Sequence, residues 1–138
     1  MTMEDFRPNV DPRLARIQGV LDLYLRSLAL VLLALGVWQW AIILGAFPDP
    51  WRFEGMLIEW QWVTITLGVA DLVAGVGLWL RVAWGTVIWI FAALFEIALH
   101  TVFTRTYDQN FPIVAFHSAT IVLFLALWIA EFRARHRY

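Results

Sequence analysis

Apolar side chains run almost unbroken through four long blocks of this chain, and the polar breaks between them set the elements. The blocks span about residues 27–47, 60–80, 82–104 and 111–130. A helix needs about 20 apolar residues to cross a hydrocarbon layer of about 30 Å, so each block suffices for one crossing. None alternates polar with apolar residues, as strands of a membrane barrel do. Pro48-Asp49-Pro50 closes the first block. Leu80-Arg81-Val82 divides the second from the third. One helix through both blocks would have about 45 residues with Arg81 at its middle, about twice what a bilayer holds. The spacing therefore predicts a very tight hairpin or a helix break there.

Ahead of the first block, Asp11-Pro12 reads as a helix start, with Asp as cap and Pro at the first helical position, where no N–H is needed. Leu14, Ile17, Leu21, Tyr24, Leu25 and Leu28 then recur at helical spacing, with Arg13, Arg16 and Gln18 off most of that stripe. Residues 12–26 are thus amphipathic, and could lie on a membrane surface or run straight into the first span. Residues 1–10 read as a frayed tail. They lack the basic start and cleavage site of a secretory signal, so the first block is expected to remain as an uncleaved anchor.

Composition strengthens this picture. The 138 residues are 62% hydrophobic and 15% charged, whereas soluble domains are about 45–50% apolar and about 25% charged. So short a chain cannot hide that much apolar surface from water by folding alone. The expectation is a single all-α domain over residues 1–138, an integral membrane four-helix bundle. A net charge of −1 gives no reason to expect a nucleic-acid partner. The absence of cysteine removes disulfides, thiol catalysis and thiolate ligands.

All ten basic side chains are arginine, and their placement is lopsided. Arg7, Arg13, Arg16, Arg26, Arg81, Arg133, Arg135 and Arg137 fall on one side of a four-span layout, and Arg52 and Arg105 on the other. The bias of arginine toward cytoplasmic loops puts both termini in the cytoplasm of a bacterial inner membrane. Trp51, Trp60 and Trp62 would form the outer aromatic belt, and Trp79, Trp84 and Trp128 the inner one. The tail from Glu131 to Tyr138 would lie against anionic headgroups.

Against this apolar background stand Asp71, Glu96, His100 and His117. A charge at the centre of a membrane helix costs about 2.5–3.5 kcal/mol on insertion scales, so an intramembrane ionisable group is a functional candidate by default. At about 1.5 Å rise per residue, Asp71 lies about 16 Å below the outer end of its span, Glu96 about 12 Å, His117 about 9 Å and His100 about 6 Å. Gln39 is the strongly polar residue of the first span, and Glu59, Thr64 and Thr66 sit near the outer mouth of the second. Glu96 and His100, four apart, share a helix face. With His117 they would make a two-histidine, one-carboxylate set suited to Zn or non-haem Fe, which makes Glu96, His100 and His117 the candidate metal ligands. Glu96 and Asp71 are the candidate catalytic groups, and interhelical hydrogen bonding is the plainer alternative for all four. Trp89, seven residues before Glu96, falls on the same face and is the candidate wall of a cofactor site, such as one for a quinone headgroup.

The stretch Leu67-Gly68-Val69-Ala70-Asp71-Leu72-Val73-Ala74-Gly75-Val76-Gly77-Leu78 resembles the second-helix pattern of DoxX-like membrane proteins, where an acidic residue sits among glycines and small residues. From Gly77-Leu78-Trp79-Leu80 through Gly85-Thr86-Val87-Ile88-Trp89 to Glu96, the chain is also similar to a small uncharacterised membrane family of alphaproteobacteria. The first resemblance implies four spans, an acidic role for Asp71, and either a link to quinone-coupled oxidation or service as a small subunit beside a larger enzyme. The leading expectation is an accessory or assembly subunit of a larger membrane complex. A quinone-linked or metal-dependent oxidoreductase and a self-associating transporter or channel are the alternatives.

Overall fold

The computed structural model describes residues 11–49 and 52–137, and they form four α-helices joined by short connections. The frayed tail expected at residues 1–10, and Trp51 of the expected outer belt, lie outside the described residues. The helices are α1 (Pro12–Ile43), α2 (Ile58–Trp79), α3 (Ala83–Thr101) and α4 (Phe111–Arg135). Each is long and apolar enough to cross a membrane. Among the described residues there is no strand.

α1 starts as its sequence requires: the Asp11 side chain accepts from the Arg13 N–H at 2.9 Å, and Pro12 holds the first turn. The amphipathic segment and first span are one continuous helix. α1 ends at Ile43, before the Pro48-Asp49-Pro50 stop. Gly45 there takes φ +73°, and the N–H groups of Gly45 and Ala46 return to the carbonyls of Ile42 and Ala41. This is the Schellman closure, which needs a left-handed residue after the helix.

The same closure ends α2, with Arg81 at φ 60° in the place usually held by glycine. The N–H groups of Arg81 and Val82 bond the carbonyls of Leu78 and Gly77, and α3 begins at Ala83. The predicted hairpin is therefore as tight as two helices allow. A left-handed non-glycine residue costs about 1–2 kcal/mol. The Arg81 side chain ties it down, with Nη1 donating to the Leu21 carbonyl at 3.3 Å and Nε 3.5 Å from Asp22.

The helices pack as a ring in chain order, α4 closing onto α1. Small residues set the tight side. Gly36 of α1 faces Leu72, and Gly75 of α2 faces Leu33 and the Ala29 carbonyl. Gly77 of α2 lies backbone to backbone against Gly85 of α3. Close approach of this kind stabilises helix pairs where lipid removes the hydrophobic gain. The buried core gathers Leu21, Leu25, Leu28, Ala29 and Leu32 of α1 with Ala74, Leu78 and Trp89. α4 is the outlier, since its buried residues are His117 and Ala134 alone.

Two boundaries differ from expectation. α3 stops at Thr101 rather than near 104, because residues 102–107 turn under the loop held by His100. α4 runs on to Arg135, through the expected juxtamembrane tail, because Glu131 pairs with Arg135 one turn later at 2.7 Å and accepts from Gln18 at 3.2 Å.

A Cβ added to Gly85 would lie 2.6 Å from the Gly77 Cα, whereas one on Gly19 meets nothing within 4 Å. Gly85→Ala should destabilise the protein by about 1–3 kcal/mol, the usual cost of overpacking. Gly19→Ala should be neutral or slightly stabilising. Thermal unfolding of both variants in one detergent checks the contrast.

Candidate functional site

Three of the four ionisable candidates converge. His117 Nε2 of α4 lies 3.2 Å from Glu96 Oε2 of α3, with side chains 4% and 12% exposed. Asp71 of α2, 2% exposed, contributes to the floor of the same cleft. That cleft has a volume of about 450 Å³. Its sides are α1 (Leu35, Trp38, Gln39) and α4 (Ile113, Phe116), and its floor is Asp71, Glu96 and His117. The walls are apolar apart from Gln39 and are half-exposed to exposed, and the floor is polar and sheltered. Since α1 and α4 are ring neighbours, the cleft opens sideways between them.

Local packing explains why the cleft lies where it does. α1 and α4 are tied near the chain termini, where Tyr24 Oη donates to the Thr120 carbonyl at 2.5 Å and Gln18 Nε2 to Glu131 at 3.2 Å. Toward the loops that join α1 to α2 and α3 to α4, the space between them is lined by Trp38, Gln39, Ile113 and Phe116. There the Glu96–His117 contact is what binds α4 to the rest. His117 Nδ1 is buried without a hydrogen-bond partner among the described residues. A buried polar nitrogen left unpaired costs about 1–3 kcal/mol.

His100 does not join this set. Its Nδ1 lies 2.7 Å from the Asp108 carbonyl, and its ring stands 6.4 Å from that of Trp60. Tyr107 completes the arrangement, edge-on to Trp60 at 4.8 Å with its hydroxyl donating to the Glu59 carbonyl. His100 therefore pins the α3–α4 loop. The expected metal set of Glu96, His100 and His117 is not assembled, and among the described residues no three acidic or histidine side chains are placed to hold an ion. Glu96 and His100 do share a face, but one turn of rise carries His100 up to the loop, which claims it.

Trp89, the expected cofactor wall, does not line the cleft. It is fully buried in the core and packs edge-on to Phe124 at 5.5 Å. Its face is correct but its depth is not, since that level of the bundle is filled by Leu32, Ala74 and Leu78. Trp38 and Phe116 line the cleft instead. Gln39 is a further polar group there, and its signal was its isolation as a polar residue in the first span. Thr64 is buried but bonds back to the Trp60 carbonyl at 2.8 Å, and Thr66 and Glu59 are exposed.

Chemically, an imidazole nitrogen and a carboxyl oxygen at this distance are placed to share a proton. Such a pair tolerates an apolar setting better than a lone ion does. It can also present both a hydrogen-bond donor and an acceptor to a molecule in the cleft.

A double-mutant cycle on Glu96→Leu and His117→Leu should give a coupling of about 0.6 kcal/mol, with about 1.7 kcal/mol as the upper bound for interhelical hydrogen bonds. Unfolding free energies of the two single variants and the double variant measure it. Strict additivity would mean the pair contributes nothing to docking α4.

Residues 19–135 match the model of a family of unknown function, DUF6163. No curated protein and no solved structure matches the chain.

Proposed function

The chain belongs to DUF6163, and we propose that it is a multi-pass protein of a bacterial inner membrane, termini in the cytoplasm, that binds the polar head of a lipid-soluble molecule between α1 and α4. Four apolar helices of spanning length support the membrane setting. The arginine bias supports the orientation. The observation that carries the binding role is the sideways cleft with Asp71, Glu96 and His117 at its floor and Trp38 and Phe116 on its walls. Ligand sites are typically concave and apolar with a few convergent polar groups, and this cleft has that composition.

The head would enter from the bilayer, with its tail left in lipid beside α1 and α4. A quinone-type or phenolic head suits the floor, because its oxygens both accept and donate hydrogen bonds. Glu96 and His117 would hold one such oxygen and exchange a proton with it. Asp71 and Gln39 would orient the ring. The resemblance to DoxX-like proteins, carried by residues 67–78, points the same way through Asp71.

A second reading is the accessory or assembly subunit. α4 supports it: with only His117 and Ala134 buried, most of its length is left for lipid or a neighbouring helix.

A short-tailed benzoquinone titrated into purified protein should quench tryptophan fluorescence saturably, and Trp38→Phe should remove much of that quench. Glu96→Leu and His117→Leu should each weaken binding by about tenfold, the scale of one hydrogen bond to a charged group. His100→Gln should leave affinity unchanged. Absence of saturable binding by benzoquinone or by a long-chain phenol would defeat the ligand reading. Co-purification of a stoichiometric second membrane protein in gentle detergent would favour the subunit reading.

A further inference from the structure

The end of the bundle that carries both chain termini holds a second cleft, of about 420 Å³, between the first turns of α1 and the last turns of α4. Arg13 lines it from one helix and Arg133 and Arg137 from the other, over apolar Ile17 and Ala134. Arg133 lies in the last turn of α4 and Arg137 just past its end, and both line the same cleft. None of these three guanidinium groups makes an ion pair among the described residues. Other arginines toward this end are committed, Arg135 to Glu131 and both Arg26 and Arg81 to Asp22, while Arg16 is not among the residues lining the cleft. The acidic group of the cleft, Asp11, is engaged in capping the Arg13 N–H.

We propose that this cleft is a binding site for the phosphate head of an anionic phospholipid in the leaflet at the termini end. Its position at the ends of two spanning helices is the depth of a headgroup. Arginine forks match phosphate oxygens in a two-pronged geometry that a lysine cannot offer. Three uncommitted arginines against one engaged carboxylate leave a net positive site. The apolar floor of Ile17 and Ala134 suits the glycerol and first methylenes of a lipid, which a soluble phosphate lacks. Basic pockets between membrane helices hold anionic headgroups by the same means. The bound lipid would bridge α1 and α4 at the end where Gln18 and Glu131 already join them, opposite the open end that carries the Glu96–His117 floor. The site shares no residue with that floor. It requires the four helices to cross a membrane and does not require the quinone-type ligand.

Full-length protein in mild non-ionic detergent, supplied with equimolar phosphatidylglycerol and phosphatidylcholine, provides the test by native mass spectrometry. Phosphatidylglycerol should be retained about tenfold over phosphatidylcholine. The triple variant Arg13→Gln, Arg133→Gln, Arg137→Gln should lose that preference, while Arg52→Gln with Arg105→Gln at the opposite end should keep it. The single variant Arg137→Gln, altered at an exposed position past the last helical residue, should lose a few-fold even if the triple variant does not fold. Unchanged preference in Arg137→Gln and in a folded triple variant overturns the proposal. Equal loss in the opposite-end pair overturns it too, since the effect would then be bulk charge. Full displacement of the lipid by millimolar glycerol 3-phosphate would mean a soluble phosphate site and also overturn it. Benzoquinone binding measured on the same variants should not change.

Discussion

The close approach of α2 to both its neighbours is the constraint on which the arrangement rests. Gly75 lets α2 seat against the Ala29 carbonyl of α1, and Gly77 and Gly85 bring α2 and α3 together at the backbone. The left-handed turn at Arg81 enforces that second contact, because the N–H groups of Leu80, Arg81 and Val82, the whole connection, all bond back to α2 carbonyls. Arg81 in turn holds its conformation by reaching across to Leu21 and Asp22 of α1. One turn therefore fixes three helices, and α1, α2 and α3 form a slab with little freedom to shift.

α4 stands differently to that slab. It buries little of itself, and it is held by Ile121, Phe124 and Leu127 against the core together with three polar contacts: Tyr24 with Thr120, Gln18 with Glu131, and Glu96 with His117. The first two lie toward the termini, the third where the helices part. A helix attached this way can lean without disturbing the glycine contacts. The candidate site occupies the seam between a close-packed part and a loosely held one, where a sideways-entering molecule meets the least resistance. Glu96 and His117 then serve twice, as the attachment of α4 and as the floor of the cleft.

The fold was more legible than the site. Continuous apolar blocks and the Asp11-Pro12 start carry their own physics, so helix number and order followed from local rules. Boundaries failed where tertiary contacts decided them. Val102 and Phe103 are apolar enough to continue α3, but the His100–Asp108 contact folds the chain away. Glu131 is charged enough to end α4, but its bonds to Arg135 and Gln18 carry the helix on. In the site, matched depths brought Glu96 and His117 together correctly, because antiparallel neighbours meet at equal depth. Helix faces alone misplaced Trp89 and His100: both sit on the Glu96 side of α3, yet one level is core and another is loop. Gln39 stood out as a polar residue in an apolar span, but Trp38 was hidden because nothing local says which side of α1 the cleft will use.

Four helices rarely leave a pathway along their own axis, and here the axis is filled by Leu32, Leu78 and Trp89. Polar groups lining a channel would have to continue past that layer, and the described residues at that depth are apolar. The polar floor instead ends in a pocket that faces outward between two helices. In the proposed membrane setting, a molecule dissolved in the bilayer would reach such a site without leaving lipid. The direction in which the floor faces, more than the identity of Asp71, Glu96 or His117, therefore argues for a lipid-soluble ligand over a transported one.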